Sequence, residues 1–508
     1  MNTTFNTRSL LYIIIALGIL AHLFSLVILP EAAYADSFYH VMLSQDVMGR
    51  GTLDLPLSQW AVPPPLYYLI FSSTFFLSGL PIDQYTIKIL PFFFAAIQLL
   101  LFFLISRKIF AQNWLAPFAL FSIFPLVIRY GSVNYTENLS LIFVLAGTCL
   151  ILRLREHHAE KTALAMIPIA VSIAALSISK LNGTVLVPVL ILAAVYFLYR
   201  NRAANIKFSA TSSALFFIAL ALLLSGLWFG MNFLKFGTID RFSGEQDIIN
   251  TETAISGILG NVPYYLSIAY IQFWDFPPVQ VFPPNAVLPM ALLFALVVLP
   301  LYIALKVGGY CLLVKRRKYF LGALAFLTTA IFAAIVIGRT FDATNWYTRL
   351  IFPIVPFVAI LFGYGWLELS KRKWLGRAVL LSLLLFSVYS LAFTSYTALF
   401  YANDHSDNSP LYTQIALLPA DVTVAIKSNL TKAVPFISGR AAIGKENRFD
   451  SASSPELYSS LRLAGVTHIA TVCRNDPWDK ALLQELERAG KLRKIFNENC
   501  SALYVLEQ

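Results

Sequence analysis

Charge is what this sequence has least of. Only 13% of its 508 residues are Asp, Glu, Lys or Arg, against about 25% in an ordinary soluble domain. A chain of several water-soluble domains is therefore excluded. Cysteine is also scarce: four residues, none at the paired spacing of a zinc or redox site. No G-x-G-x-x-G or Walker A loop occurs, so neither common phosphate-cradling fingerprint is present. No internal repeat recurs at a fixed period.

What the chain has is apolar length. It is 58% hydrophobic, with a mean hydropathy of +0.69. Runs of roughly 18 to 25 apolar residues recur, long enough to cross a bilayer core of about 30 Å. The reading is an α-helical polytopic membrane protein. The formal net charge of +11 is explained by position and does not imply a nucleic-acid partner. Basic residues cluster in short loops between apolar runs: Arg107-Lys108, then Arg153, Arg155 and Lys161, then Arg200, Arg202 and Lys207. Lys315 to Lys318 and Lys371 to Lys373 with Arg377 follow. That is the positive-inside pattern.

With the amino terminus inside, crossings are expected near 10–29, 87–106, 112–129, 138–153, 162–178, 184–199, 208–231, 286–305, 320–338, 350–369 and 378–399, about eleven in all. An "AYA" before Asp36 resembles a signal-peptidase site. The preceding run of about 20 apolar residues exceeds the usual 7 to 15 of a signal core, so it is read as a retained first helix. The segment Val62 to Leu80 is apolar enough to span, but a crossing there would invert every later basic loop. It is read as a helix on the outer surface, in a first outer loop of about 30–86. Inside loops then hold about 18 Lys and Arg and outer loops before residue 400 about six, while acids number about three inside and twelve outside. Acids contribute little to orientation, so the outer face becomes the candidate for chemistry.

Residues 1–399 are thus expected to form the membrane domain, and 400–508 a small extracytoplasmic α/β domain. The tail holds twelve basic and twelve acidic residues, a soluble composition. "GVTHIATVC" reads as a buried strand. "PWDKALLQELERAGKL" reads as a helix with Asp479 in its first turn and Gly490 as its stop. "KIFNENC" and "SALYVLEQ" read as two further strands. Cys473 and Cys500 fall near strand ends, either as a disulfide on the oxidising side or as two buried thiols.

The stretch "PEAAYADSFYHVMLSQDV" leaves the first apolar run with Glu31, Asp36, His40 and Asp46 among aromatics. Asp36 and His40 share a face if the stretch is helical. Asp36 would lie near the helix start, where an acid can simply cap. Ionised carboxylates at a bilayer surface also tend to mark function. Glu137, in "RYGSVNYTENLSL", is a second outer acid at a helix start. Together Asp36 and Glu137 can share a substrate hydroxyl or a divalent metal, Mg or Mn. The outer cations are Lys180, Lys235, Arg241 and Arg349, each either a phosphate ligand or a headgroup anchor. Tyr67 and Tyr68 suit the interface.

The order of these features resembles the GT-C glycosyltransferases, and within them the relatives of protein O-mannosyltransferases and of the lipid A aminoarabinose transferase. The resemblance runs through "ADSFYHVMLSQDVMGRG", "PPLYYL", "YGSVNYTENLSL", "SKLNG", "LWFGMNFLKFG" and "TRLIFPIVPF", and into the tail at "LPADVTVAIKSN", "ISGRAAIG" and "LRLAGVTHI". It departs at three places. Ser37 follows Asp36 where many relatives have Glu. Val62-Pro63 stand where the aminoarabinose transferases carry a Lys. Glu137 stands where Asp is frequent. The resemblance implies a plasma-membrane hexosyl- or pentosyltransferase using a polyprenyl-phosphate sugar donor, with a glycan, lipid or protein acceptor. Asp36 would be the base and Glu137 its partner. His40, Tyr67, Lys180, Lys235, Arg241 and Arg349 would bind substrate. The reading from another class is a transporter or lipid-linked-sugar flippase. Such proteins place ionisable residues near the middle of their helices, and here the crossings are nearly free of charge.

Overall fold

The structure is a computed structural model. It describes residues 7–29, 40–41, 44–45, 66–82, 86–154, 162–179, 186–201, 299–315, 355–426, 440–443, 453–473, 478–498 and 500–507, with isolated positions between them. Thirteen α-helices and five strands fall in these ranges. In chain order the helices are α1 (Thr7–Ile28), α2 (Leu66–Ser78), α3 (Ile89–Phe110), α4 (Leu115–Ser122), α5 (Pro125–Tyr130), α6 (Thr136–Leu154), α7 (Thr162–Ser177), α8 (Val187–Asn201), α9 (Leu299–Lys315), α10 (Val355–Leu369) and α11 (Lys373–Ala416). The tail adds α12 (Ser454–Leu463) and α13 (Lys480–Arg488) to these, with strands β1 (Thr423–Ala425), β2 (Ala441–Ile443), β3 (His468–Thr471), β4 (Leu492–Glu498) and β5 (Ser501–Leu506).

Among the described residues, Thr7–Ile28, Thr86–Asn113, Thr136–Arg153 and Lys373–Ala416 are long and apolar enough to cross a membrane. The 22 residues of α1 give about 33 Å at 1.5 Å per residue. The 13 residues of α2 give only about 20 Å, short of a hydrocarbon core of about 30 Å. The expected crossings at 208–231 and 320–338 lie almost wholly outside the described residues. The one at 286–305 is described only from Leu299, and its helix runs on to Lys315.

Two elements differ from the expectation. The run 112–129 is not one helix. It breaks at Ile123–Phe124 into α4 and α5, with Phe124 extended and Pro125 opening α5. Proline lacks the N–H that would continue the ladder and pushes its predecessor out of the helical region. The helix at the expected crossing 378–399 is longer: α11 is continuous for 44 residues, about 66 Å. Its early half packs in the core of the bundle through Leu383, Phe386, Phe393 and Ala398. Its last turns carry Leu411, Tyr412 and Ile415 into the core of the tail domain. Ser390 Oγ donates to the Ile123 carbonyl at 2.6 Å, at the α4–α5 break.

Small residues let helices of the bundle approach closely. A Cβ on Gly365 would lie 2.0 Å from the Leu305 carbonyl oxygen, and one on Gly309 would lie 2.3 Å from that of Leu361. The α9–α10 seam therefore depends on glycine at both crossings, as small-residue helix packing in membranes does.

The tail sheet has the order β2-β1-β3-β5-β4. β1 pairs in parallel with β2 and β3, and β5 pairs antiparallel with β3 and β4. The strands expected at 465–473, 494–500 and 501–508 are present as β3, β4 and β5. Asp479 caps α13 by accepting from Ala481 N and Leu482 N, and Gly490 ends it at φ 69°. Cys473 and Cys500 form a disulfide. The sheet is seated on α11 at two levels. Cys473 N, just after β3, donates to Asn408 Oδ1 at 3.0 Å. The Arg440 guanidinium, just before β2, donates to the Leu418 and Ala416 carbonyls. The parallel strands therefore run back along α11, with their carboxyl ends towards its apolar half.

Candidate active site

Of the residues singled out in the sequence, His40, Tyr67 and Glu137 are described. Asp36, Lys180, Lys235, Arg241 and Arg349 lie outside the described residues. The three that are described converge on one end of the bundle.

The first-loop segment that carries His40 lies along α2. His40 Nδ1 is 2.7 Å from the Tyr68 hydroxyl. One helical turn on, Ser72 Oγ donates to the Ser44 carbonyl at 2.7 Å. The pairs 40/44 and 68/72 are both spaced by four, so the two helical faces meet in register. Around them a dry cluster closes through Val41, Tyr67, Tyr68, Phe71, Phe75, Ile87, Leu90 and Phe94. The His40 ring lies 5.8 Å from the Tyr67 and Tyr68 rings and 5.9 Å from Tyr135.

Tyr67 turns the other way. Its ring is fully buried, and its hydroxyl donates to Asn134 Oδ1 at 3.0 Å. Asn134 Nδ2 donates to the Ile87 carbonyl at 2.9 Å. The neighbouring Lys88 Nζ donates to the Ser132 carbonyl at 2.9 Å. The connection between α5 and α6 is thus tied to α2 and to the 3-10 turn Thr86–Lys88. From inside, Asn138 Nδ2 donates to the Tyr130 and Val133 carbonyls, and Gln98 Nε2 donates to Asn138.

Glu137 sits in the first turn of α6, where the helix dipole favours an acid. It is completely buried, and Thr136 Oγ1 donates to its Oε2 at 3.1 Å. Arg129, at the end of α5, is also buried, with its guanidinium 5.7 Å from the Tyr401 ring centroid on α11. Charged groups are costly in an apolar bundle and tend to mark function there.

Sequence reasoning had not singled out Asn134, Lys88, Arg129, Asn138 and Gln98. Lys88 and Arg129 fell inside the expected crossings 87–106 and 112–129, away from the basic loops. A lone Gln or Lys in an apolar run was the available signal. As for a metal, no group of three or more His, Cys, Asp and Glu converges among the described residues. These residues offer a single carboxylate at the site, Glu137; Asp36, its expected partner for a divalent metal, lies outside the described residues.

The fold is shared with solved structures of two other proteins. The chain resembles the crystal structure of ArnT from Cupriavidus metallidurans in the apo state, at TM-score 0.59 and 13% identity, over 97% of each chain. It also resembles the Archaeoglobus fulgidus oligosaccharyltransferase in its apo form, at TM-score 0.52 and 11% identity, over 92% of this chain and 70% of that one. The same oligosaccharyltransferase in complex with Zn and sulfate matches at TM-score 0.51 and 10% identity, over 89% of this chain and 67% of that one. No protein-family model and no curated protein matches by sequence. The likeness is one of fold, carried over nearly the whole chain.

Proposed function

We propose that the protein is a membrane glycosyltransferase that moves a sugar from a polyprenyl-phosphate donor to a hydroxyl of a glycan, lipid or protein acceptor at the outer face. The observation that carries this is the buried Glu137, in the first turn of a helix whose entry is tied to α2, in a chain whose fold matches that of ArnT over 97% of its length. The amino terminus is cytoplasmic in this reading and the tail domain extracytoplasmic, which agrees with the disulfide.

The chemistry follows from the leaving group. A polyprenyl phosphate leaves readily near neutral pH, so strong acid catalysis is unnecessary. Its developing negative charge needs preorganised cations, and Lys180 and Arg349 are assigned to it, with Lys235 and Arg241 as further substrate-binding residues. Asp36 takes the acceptor hydroxyl proton. The acceptor oxygen bonds to carbon one of the sugar as the carbon–phosphate oxygen bond breaks, and the anomeric configuration inverts. Glu137 positions the acceptor. His40, oriented by Tyr68, lies one helical turn from Asp36 in sequence. Tyr67, with its hydroxyl on Asn134, belongs to the frame of the site.

The test is transfer by purified protein in lipid vesicles, with polyprenyl-phosphate sugars offered to candidate acceptors. The expected products are an inverted glycoside, read by NMR of the anomeric proton, and free polyprenyl phosphate in equal amount. Movement of the intact lipid-linked sugar across the vesicle, with no bond cleaved, would replace this reading with the flippase.

A further inference from the structure

The position of Glu137 depends on a residue that never needs to touch substrate. We propose that Asn134 is a positioning residue for Glu137 and that the Tyr67 hydroxyl orients Asn134. This rests on the transferase reading for its kinetic consequence only.

Asn134 is buried and uses both ends of its amide: Oδ1 accepts from Tyr67 on α2, and Nδ2 donates to the Ile87 carbonyl. Only an amide presents an acceptor and a donor in this fixed geometry. Aspartate would set a second acceptor against the Ile87 carbonyl, and alanine would leave a buried hydroxyl and a carbonyl without this partner. Asn134 stands two residues before α6 begins, so it fixes where and at what rotation the helix starts. Glu137 lies in that first turn. A shift of the 134 backbone is passed directly to the carboxylate. Displacing a catalytic group by about 1 Å costs on the order of 100-fold in rate.

The remaining tethers hold the same connection by other atoms: Lys88 at Ser132, and Asn138 at Tyr130 and Val133. Loss of Asn134 therefore loosens the entry to α6 without cutting the connection free. The expected effect is local and kinetic.

The experiment compares wild type with Asn134→Ala and Tyr67→Phe in the purified full chain. Hydrogen exchange is followed over residues 130–138, together with kcat and KM for a polyprenyl-phosphate sugar donor. Tyr67→Phe keeps the ring in its cluster and removes only the hydroxyl, so it remains informative if Asn134→Ala folds poorly. Exchange in 130–138 should rise in both variants while the rest of α3 and α6 stays protected. The kcat should fall about 10- to 100-fold in Asn134→Ala and less in Tyr67→Phe, with donor KM within about twofold. Unchanged exchange in both variants overturns the proposal. So does a fall in activity that only tracks the folded fraction. If wild type transfers nothing from any donor, the transferase reading fails, and the exchange result alone decides the part played by Asn134.

Discussion

A carboxylate taken out of water costs several kcal/mol unless hydrogen bonds follow it inside. Glu137 is completely buried, with Thr136 Oγ1 donating to its Oε2, and in the transferase reading its charge serves catalysis. Glu137→Gln keeps the shape and removes the charge. Turnover should fall by about 100-fold, while the thermal midpoint of the purified protein stays level or rises; a fall in midpoint with turnover intact would make Glu137 a structural acid. A second residue-scale prediction concerns pH. His468, on β3, has its pKa lowered from 6.5 by burial. The folded state therefore binds its proton less readily than the unfolded chain. Above pH 6.5 the group is neutral in both states and costs nothing. As pH falls below 6.5, the unfolded chain takes up the proton first and stability declines. The unfolding midpoint should drop between pH 7.5 and 5.5, and should drop less in His468→Gln. At this scale residue type and position in the sequence singled out His40 and Glu137, and both are buried. The sequence was not legible at Asn134 or Lys88, because their importance lies in which carbonyl each meets across 44 or more residues.

Elements were legible where local signals agree. Asp479 and Gly490 bracket α13, and Asp479→Ala should cost about 0.5–2 kcal/mol of tail-domain stability by loss of the cap, readable by denaturant titration. The parallel strands β1 and β2 were less legible. Each has only three residues, too few for alternation to show. The break between α4 and α5 was marked by Pro125, but uninterrupted hydropathy on both sides concealed it. Helix contacts were likewise hidden, since a glycine in an apolar run does not say which partner approaches it. The α9–α10 seam gives the check. Gly365→Ala forces a Cβ onto backbone at 2.0 Å, and overpacking of this kind costs typically 1–3 kcal/mol or more. Gly147→Ala, whose added Cβ would meet only side-chain atoms at 3.4 Å or beyond, should be neutral or stabilising. Equal thermal midpoints for the two variants would contradict the seam.

At the scale of the whole molecule, α11 joins bundle and tail. The polar run "NDHSDNSP" lies inside this helix. The disulfide closes a separation of 27 residues, and on loop entropy alone it contributes about 3–4 kcal/mol. Cys500→Ser should therefore lower the stability of the tail sheet while leaving the bundle helices protected from hydrogen exchange. Because Cys473 also donates to Asn408 on α11, the same variant should loosen the seat of the sheet near residue 408. The fold class and the tail's last three strands were legible from hydropathy, charge asymmetry and caps, all local quantities. The convergence of the first loop, α2 and the α5–α6 connection was not, since it arises from packing between distant segments. The central claim is bond cleavage at a lipid-linked sugar, and the most direct measurement is release of free polyprenyl phosphate by purified wild type and by Asp36→Asn. Stoichiometric release with sugar transfer in wild type, reduced about 100-fold or more in the variant with donor binding intact, is the predicted result. Equal release by both proteins would remove Asp36 from the mechanism, and transport of uncleaved donor by wild type would contradict the account.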